Sequence, residues 1–296
     1  MPLKPIKRGY KIWIRADQSG FVSQFQVYTG KSDGGEQGLG ARVVKDLTRS
    51  LVGNHHKVFF DNFFTTVGLL NDLYKDKIYA CGTIRRRRKD EPKDLVNNNT
   101  KVERGTCDWA MSKEGLLYLK WMDNKPVLFI SNFHSPTDIQ NVSRRQKDGS
   151  SKNITCLQLV KDYNSHMGYV DQSDMFVSLY KVNRKSRKWW HRLFWHFLDL
   201  SLVNAYIIFR DRLQNNRSLN LKDFRLAVAI GLVGADPSVP TRVASLISTP
   251  NATKTNKSRK RSEKEVEDEE EPALNLSDLS ELSDHDNDYA SSIYIV

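Results

Sequence analysis

Cysteine is scarce in this sequence, which contains Cys81, Cys107 and Cys156 among 296 residues. The three are far apart and lack the spacing of metal ligands, so neither a disulfide framework nor a zinc site is predicted. No run of about 18 apolar residues is present to span a membrane, and the first residues lack the apolar segment of a signal peptide. The glycine-rich loop at 30–40 has no GxGxxG after a strand and does not end in GKS or GKT, so neither a phosphate-binding loop nor a small-molecule cofactor is predicted. We therefore expect an intracellular protein that acts away from the membrane.

Acidic residues are concentrated at one end of the chain. Residues 263–296 contain twelve acids and one base, whereas the whole chain has 46 bases and 35 acids. Residues 1–262 therefore carry 45 bases and 23 acids, a net charge of +22. A segment with such a high positive charge is more typical of a nucleic-acid-binding protein than of a metabolic enzyme, because clustered Lys and Arg bind phosphates. The basic run at 257–264, KSRKRSEK, is predicted to be a nuclear-localisation segment, with a solubilising role as the alternative.

Short apolar runs and turn signals predict alternating strands and helices in residues 1–84. A strand at 11–16 ends at Asp17, and a strand at 21–29 returns antiparallel to it. A helix at 39–51, a strand at 58–60 that ends at Asp61, a helix at 66–75 and a strand at 78–84 follow. The run KVFFDNFFTT at 57–66 is typical of a buried strand, because its apolar residues are contiguous, and Thr65 or Thr66 can cap the helix after it.

The composition changes after residue 84. Residues 85–160 are predicted to be a β-rich insertion, within which the polar and basic segment 135–155 is predicted to be a mobile loop. Helices are predicted at 170–180, 186–213 and 221–233, so residues 161–234 form the second part of the core that began at 1–84. Residues 235–296 are rich in Ser, Pro and Lys and then in acids, which predicts a disordered tail.

Three aspartates follow an order that is typical of an RNase H-like nuclease or integrase. Asp17 and Asp61 end two strands, and Asp171 lies on a later helix. Open α/β sheets place ligands at the carboxyl ends of their strands, where carboxylates can hold Mg²⁺ ions that act on a phosphodiester. The alternative is that Asp61 merely closes a strand–helix turn. Spacing alone is weak evidence, because 35 acids allow many such triples.

Six segments resemble the transposase domain of the piggyBac family, in the order in which that family has them. They run from residue 1 to about 233 and read MPLKPIKRGYKIWIRAD, VYTGK, GLGARVVKDLTRSL, VFFDNFFT, ACGTIR and YVDQSD…RKWWHRLFWHFLDLSLVNAYII. The resemblance implies an α/β fold, an RNase H-like mixed sheet flanked by helices, with the insertion and tail described above. It also implies that Asp17, Asp61 and Asp171 are catalytic, metal-binding aspartates. The resemblance further implies that Asp174, in the same VDxxD segment, is a catalytic acid.

Similarity to this family implies an activity as well as a fold. The activity is cleavage and transfer of DNA strands at TTAA sites, with two Mg²⁺ or Mn²⁺ ions at the carboxylates. DNA is then the partner, a homodimer is an open expectation, and the setting is the nucleus. From the resemblance we expect the chain to lack the family's long N-terminal region and its C-terminal cysteine-rich, zinc-binding module. The alternative is a domesticated or fragmentary piggyBac-derived nuclear protein that binds DNA without transposing.

Basic residues near these segments are predicted to contact the DNA backbone, with solvated loops as the alternative. Phosphate contacts of this kind set affinity and salt dependence rather than sequence choice. The residues are Arg85, Arg86, Arg87, Arg88, Lys89, Arg184, Lys185, Arg187 and Lys188. Trp189, Trp190 and Trp195 have helical spacing with Leu and Phe, which predicts core packing rather than stacking on bases.

Overall fold

The structure is a computed structural model that describes residues 10–30, 38–86, 102–146, 148–181, 186, 188–212, 219–234 and 292–295. Elements are numbered in chain order. The described strands form one eight-stranded mixed sheet and one separate hairpin. In spatial order the sheet contains β2 (Val22–Val27), β1 (Ile12–Ala16), β10 (Ser292–Ile295), β3 (Lys57–Phe60), β4 (Tyr79–Thr83), β7 (Pro126–Ser131), β6 (Leu117–Met122) and β5 (Cys107–Met111). The hairpin consists of β8 (Ile139–Arg145) and β9 (Ser151–Leu157). The helices are α1 (Leu39–Thr48), α2 (Val67–Lys75), α3 (Gln158–His166), α4 (Tyr169–Leu179), α5 (Trp189–Arg212) and α6 (Leu221–Val233).

Helices cover both faces of the sheet around β3, which explains the contiguous apolar run of this strand. Val58 and Phe60 pack with Trp13 in a core that α1 and α2 complete. Phe59 packs in the core on the opposite face, which α3, α4 and α5 cover. Successive residues of a strand point to opposite faces, so a strand covered on both faces needs apolar residues at every position. The predicted buried strand is confirmed.

Several local predictions are confirmed. The helix predicted at 39–51 is α1 followed by a 3-10 turn over Arg49–Leu51. Thr66 caps α2, because its hydroxyl accepts a hydrogen bond from the N–H of Leu69 at 3.2 Å. The fold class, α/β with a mixed sheet between helices, is also as predicted. A search of the described helices finds none that is both long enough and apolar enough to cross a membrane.

Residues predicted to form an insertion extend the same sheet. β7 pairs antiparallel with β4, and β6 and then β5 continue outward from it. The segment 135–155, predicted to be a mobile loop, lies largely in the β8–β9 hairpin, which corrects that prediction. The sequence pattern does not predict the hairpin, because the buried apolar residues at its centre, Val142 and Ile154, are separated by long polar stretches.

The C-terminal strand β10 lies between the strands that precede Asp17 and Asp61. It pairs parallel with β1 and antiparallel with β3, so β1 and β3 run in opposite directions. The Lys11 ammonium, at the start of β1, lies 4.6 Å from the ring centre of Phe63, just beyond the end of β3, which agrees with this direction. The SIYI sequence of β10 is rich in β-prone residues. This strand corrects the prediction of disorder for its own residues, and the remainder of the predicted tail beyond residue 234 lies outside the described residues.

Candidate carboxylate site

Asp17 closes the tight turn between β1 and β2. Its Oδ1 accepts hydrogen bonds from the N–H of Ser19 at 2.8 Å, from the Ser19 hydroxyl at 2.5 Å and from the N–H of Phe21 at 3.2 Å. Gly20 has the left-handed backbone conformation, φ +82°, that this turn requires. The carboxylate is half-buried and forms an Asx turn with its own backbone.

Asp61 holds the turn that leads from β3 into α2. Its Oδ1 accepts a hydrogen bond from the N–H of Phe63 at 2.8 Å, and its backbone carbonyl accepts one from the Thr65 hydroxyl at 2.7 Å. Burial raises the pKa of Asp61, while the hydrogen bond from Phe63 and the charges of Arg85 and Lys11 oppose that rise. In this structure the carboxylate closes a strand–helix turn, which was the alternative to a catalytic role.

Asp171 and Asp174 lie one turn apart on α4 and share a face of the helix, as their spacing predicts. Both residues are exposed. Desolvation by neighbouring protein atoms nevertheless raises the pKa of both carboxyls. The pKa of Asp174 reaches about 6, because the charge of Asp171 adds to the rise while Lys181 opposes it. Water reaches both groups and screens their interaction, so the effect on stability is small.

The strands that carry Asp17 and Asp61 keep these two acids apart. Ala16 is level with Phe59 across β10. Asp17 therefore lies one residue beyond this level in one direction, and Asp61 lies two residues beyond it in the other. Two strand spacings and three residues of rise place their Cα atoms about 14 Å apart. One ion with oxygen ligands at about 2.1 Å cannot bridge that separation.

The carboxylates as arranged do not fit the predicted two-ion site. Within the part of the chain that the structure describes, no three His, Cys, Asp or Glu side chains approach closely enough to hold a metal ion. Asp171 and Asp174 lie close enough to influence each other's charge. Asp17 and Asp61 each accept a hydrogen bond from a backbone N–H of their own turn instead. The catalytic and metal-binding roles of the four acids stay predictions.

A buried hydrogen-bond chain links β7 to α3, and no sequence motif pointed to it. The Ser131 hydroxyl lies 2.7 Å from Nδ1 of His134, whose Nε2 lies 3.0 Å from Asp162 Oδ2. These residue types match a hydrolase triad, but Ser131 is 0% exposed and is shielded from any substrate. Burial lowers the pKa of His134, an effect that its contacts with Asp162 oppose. The chain of hydrogen bonds is a structural link between the sheet and the helix.

Arg85 and Arg86 follow β4 and are exposed, and the charge of Arg85 acts on Asp61. The Nε of Arg85 donates a hydrogen bond to Asn62 Oδ1 at 2.6 Å. Lys188 is also exposed. The other residues predicted to contact DNA lie outside the described residues: Arg87, Arg88, Lys89, Arg184, Lys185 and Arg187.

The aromatic start of α5 differs from the prediction. Trp189 is 64% exposed and Trp190 is 46% exposed, so the prediction of core packing is wrong for both. The fully buried residues of α5 begin only at Asp199, more than two turns later. The first turns of the helix therefore extend beyond the core that covers the sheet.

Comparison with solved structures identifies the fold. The cryo-EM structure of the piggyBac transposase synaptic complex with hairpin DNA contains a chain that shares this fold, with a TM-score of 0.63 and 21% identity. The match covers 87% of this chain and 55% of that chain. The mixed sheet flanked by helices is therefore the α/β fold of that transposase chain.

Comparison of sequences identifies the family. The family model described as Transposase IS4 matches residues 1–206. Human PiggyBac transposable element-derived protein 3 is 32% identical over 212 residues, which cover 69% of this chain and 36% of that protein. Human PiggyBac transposable element-derived protein 5 is 28% identical over 218 residues, which cover 69% of this chain and 40% of that protein. The chain belongs to the piggyBac family of transposases and transposable element-derived proteins, and it spans at most about two fifths of the length of these curated relatives.

Proposed function

We propose that this chain binds DNA as a member of the piggyBac family and that it does not cleave DNA in the conformation described above. The charge of residues 1–262, 45 bases against 23 acids, supports binding to a polyanion. Exposed Arg85 and Arg86 contribute to that charge. The solved transposase with the same fold was determined in complex with hairpin DNA.

The opposite directions of β1 and β3 carry the second half of this proposal. Strand cleavage by carboxylate-bound metals requires acids from distant elements to meet around the scissile phosphate. Here Asp17 and Asp61 use Oδ1 to close their own turns, and the sheet holds them apart.

A salt titration tests the binding. Fluorescence anisotropy of a labelled duplex should give a logarithm of the association constant that falls linearly with the logarithm of the salt concentration. Replacing Arg85 and Arg86 by Gln should weaken binding to all sequences alike and reduce the slope by about one for each phosphate that is no longer neutralised. Arg49→Gln is the matched control, since Arg49 is exposed but pairs with Asp46 on α1. Binding that is absent, or that does not change with salt, would refute the proposal.

Strand cleavage and transfer at TTAA sites is the second candidate function, and the acids themselves favour it. All four lie inside the residues that match the family model. The pKa values of Asp61, Asp171 and Asp174 are raised, with burial as the first cause. Carboxyl groups whose pKa values are shifted in this way are enriched at functional sites. Mg²⁺ or Mn²⁺ would be the cofactor, held by Asp17, Asp61 and Asp171 after a rearrangement of the sheet.

A nicking assay separates the two candidates. Supercoiled plasmid is incubated with the full chain and Mn²⁺, and the same is done with Asp61→Asn. Asp108→Asn is the matched control, because Asp108 is an exposed carboxylate on the edge strand β5. Nicking by the wild type and the control but not by Asp61→Asn would establish the second candidate. Equal, background nicking by all three supports DNA binding without cleavage.

We further propose that the protein acts in the nucleus and that it forms a homodimer. The basic run at 257–264 supports the nuclear setting. A fluorescent fusion of the full chain should accumulate in the nucleus, and a fusion in which the Lys and Arg residues of this run are changed to Gln should spread through the cell. If the two fusions were distributed in the cell in the same way, the basic run would no longer support a nuclear setting. Light scattering of the full chain gives the oligomeric state directly.

A further inference from the structure

The β8–β9 hairpin has two faces of different character. One face carries Val142, Ile154 and Cys156, which are buried in the main core together with Leu157 at the end of β9. The opposite face is exposed and polar except at its base, where Ile139 is exposed and its partner Leu157 is buried. We call this exposed set the outer face; its polar members are Asn141, Ser143, Arg145, Ser151, Asn153 and Thr155.

The inner face anchors the hairpin firmly to the rest of the fold. Trp121 Nε1 on β6 donates a hydrogen bond to the backbone carbonyl of Thr155 at 2.9 Å. The Nε of Arg144 lies 3.2 Å from Asp123 Oδ2, and its guanidinium lies 5.5 Å from the ring centre of Trp121. Both strands are therefore attached to the core through their inner face, and the outer face points away from the core.

The chemistry of the outer face favours a polyanion with hydrogen-bonding groups. Across the two strands Asn141 is level with Thr155, Ser143 with Asn153 and Arg145 with Ser151. Amides and hydroxyls of this kind both donate and accept hydrogen bonds. The segment 139–157 contains four bases and one acid, and of the bases Arg145 lies on the outer face whereas Arg144 lies on the inner face. That acid, Asp148, lies in the turn, where its Oδ1 accepts a hydrogen bond from the N–H of Ser150 at 2.9 Å.

We propose that the outer face of the β8–β9 hairpin is a DNA-reading surface that enters the major groove of a duplex. Strands of seven residues span about 23 Å. The major groove is about 12 Å wide and admits a two-stranded ribbon. Asn side chains pair with the edge of adenine and Arg with that of guanine, while hydroxyls accept either partner. The proposal rests on the DNA binding proposed above and names the surface that performs it.

The same features argue against a protein partner on this face. Interfaces between proteins have apolar, aromatic centres that exclude water. The centre of the outer face, around Ser143 and Asn153, has small polar side chains instead. A partner strand that adds to an edge of the hairpin would use backbone groups and would be insensitive to the polar side chains that point outward.

Charge substitutions on the outer face test the proposal. Asn141→Asp and Asn153→Asp, made singly in the full chain, replace a donor by an anion that a DNA groove repels. Each should weaken binding of a random-sequence duplex of about 30 base pairs roughly tenfold, which is within the range for the removal of one base contact. Asn54→Asp is the matched control, because Asn54 is an exposed Asn in the loop that precedes β3. This control should bind like the wild type.

Salt dependence supplies a second readout that a loss of folding would not mimic. Asn153→Ala removes hydrogen bonds but no charge, so it should lower affinity and leave the salt slope unchanged. Arg145→Gln should reduce the slope by about one. Wild-type DNA binding together with unchanged affinity of Asn141→Asp and Asn153→Asp would overturn this inference and leave the proposed function standing. A wild-type chain that does not bind DNA would overturn both.

Discussion

Two substitutions of Asp61 separate its role in a turn from a role as a cation ligand. Its Oδ1 accepts the hydrogen bond from the N–H of Phe63 at 2.8 Å. Asp61→Asn keeps an oxygen at this position and removes the charge, whereas Asp61→Ala removes both. The structure predicts that the two variants differ in stability, because only Asn preserves the turn.

The expected size of this difference follows from side chains that cap a backbone N–H. Loss of such an acceptor lowers the free energy of unfolding by about 1 kcal/mol. In a domain of about 200 residues this corresponds to roughly 2–4 °C in Tm. Asp61→Ala should therefore unfold a few degrees below Asp61→Asn. Thermal unfolding followed by circular dichroism gives both values.

The pH dependence gives an independent check on the charge of Asp61. Burial raises its pKa, so the folded chain holds the proton more tightly than the unfolded chain, whose pKa is about 3.9. The resulting contribution to stability is complete below the unfolded value and is lost as the pH rises through the folded value. Asp61→Asn should flatten this part of the profile and should not be less stable than the wild type at pH 7.

Addition of Mn²⁺ supplies the result that would refute the reasoning. A metal that binds only the folded chain, at a concentration 100 times its Kd, raises the free energy of unfolding by about 2.7 kcal/mol. We expect no such gain, because Asp17 and Asp61 lie on strands of opposite direction. Stabilisation of the wild type but of neither Asp61 variant would show that these acids do meet around an ion. Equal stability of the Asn and Ala variants would contradict the structural role instead.

Three further predictions concern buried polar groups. Asn132 accepts a hydrogen bond from the N–H of Ala80 and donates to two carbonyls, so Asn132→Ala should lower the free energy of unfolding in urea by about 3 kcal/mol; a decrease below about 0.5 kcal/mol, as expected for a surface change, would contradict this. Asp199 is 2% exposed and pairs with Arg225 at 2.5 Å, so Asp199→Ala should lose about 3–5 kcal/mol by leaving a buried charge unpaired; the double variant with Arg225→Met should recover part of that loss, and no recovery would argue against the pair. Burial lowers the pKa of His134, so its stability contribution is present above the unfolded value of about 6.5 and is lost as the pH falls through the lowered one. His134→Gln should therefore lose less stability than the wild type between pH 7.5 and pH 5, and parallel urea profiles would count against this account.

The amino-acid sequence by itself determined the local features of this protein. Residues 58–60 are apolar at every position, which defines a strand covered on both faces. Thr66 begins a helix, because its hydroxyl can bond the N–H three residues later. Asp17 and Asp61 follow strands at turns, which Asp side chains favour. The excess of bases before residue 263 follows from composition alone. The six segments that resemble the piggyBac family are each a short run of consecutive residues. These features involve residues that are close together in the chain.

The tertiary structure alone decided which elements are neighbours and in which direction they run. Periodicity assigns the two faces of a strand but not its partners, and pairing distant strands depends on the closure of long loops. The sequence pattern therefore placed Asp17 and Asp61 at the ends of two strands but did not show that β10 lies between β1 and β3 or that those strands run in opposite directions. For the same reason the β8–β9 hairpin was mistaken for a loop: its inner face is buried by Trp121 and the core, contacts that its own polar sequence does not encode.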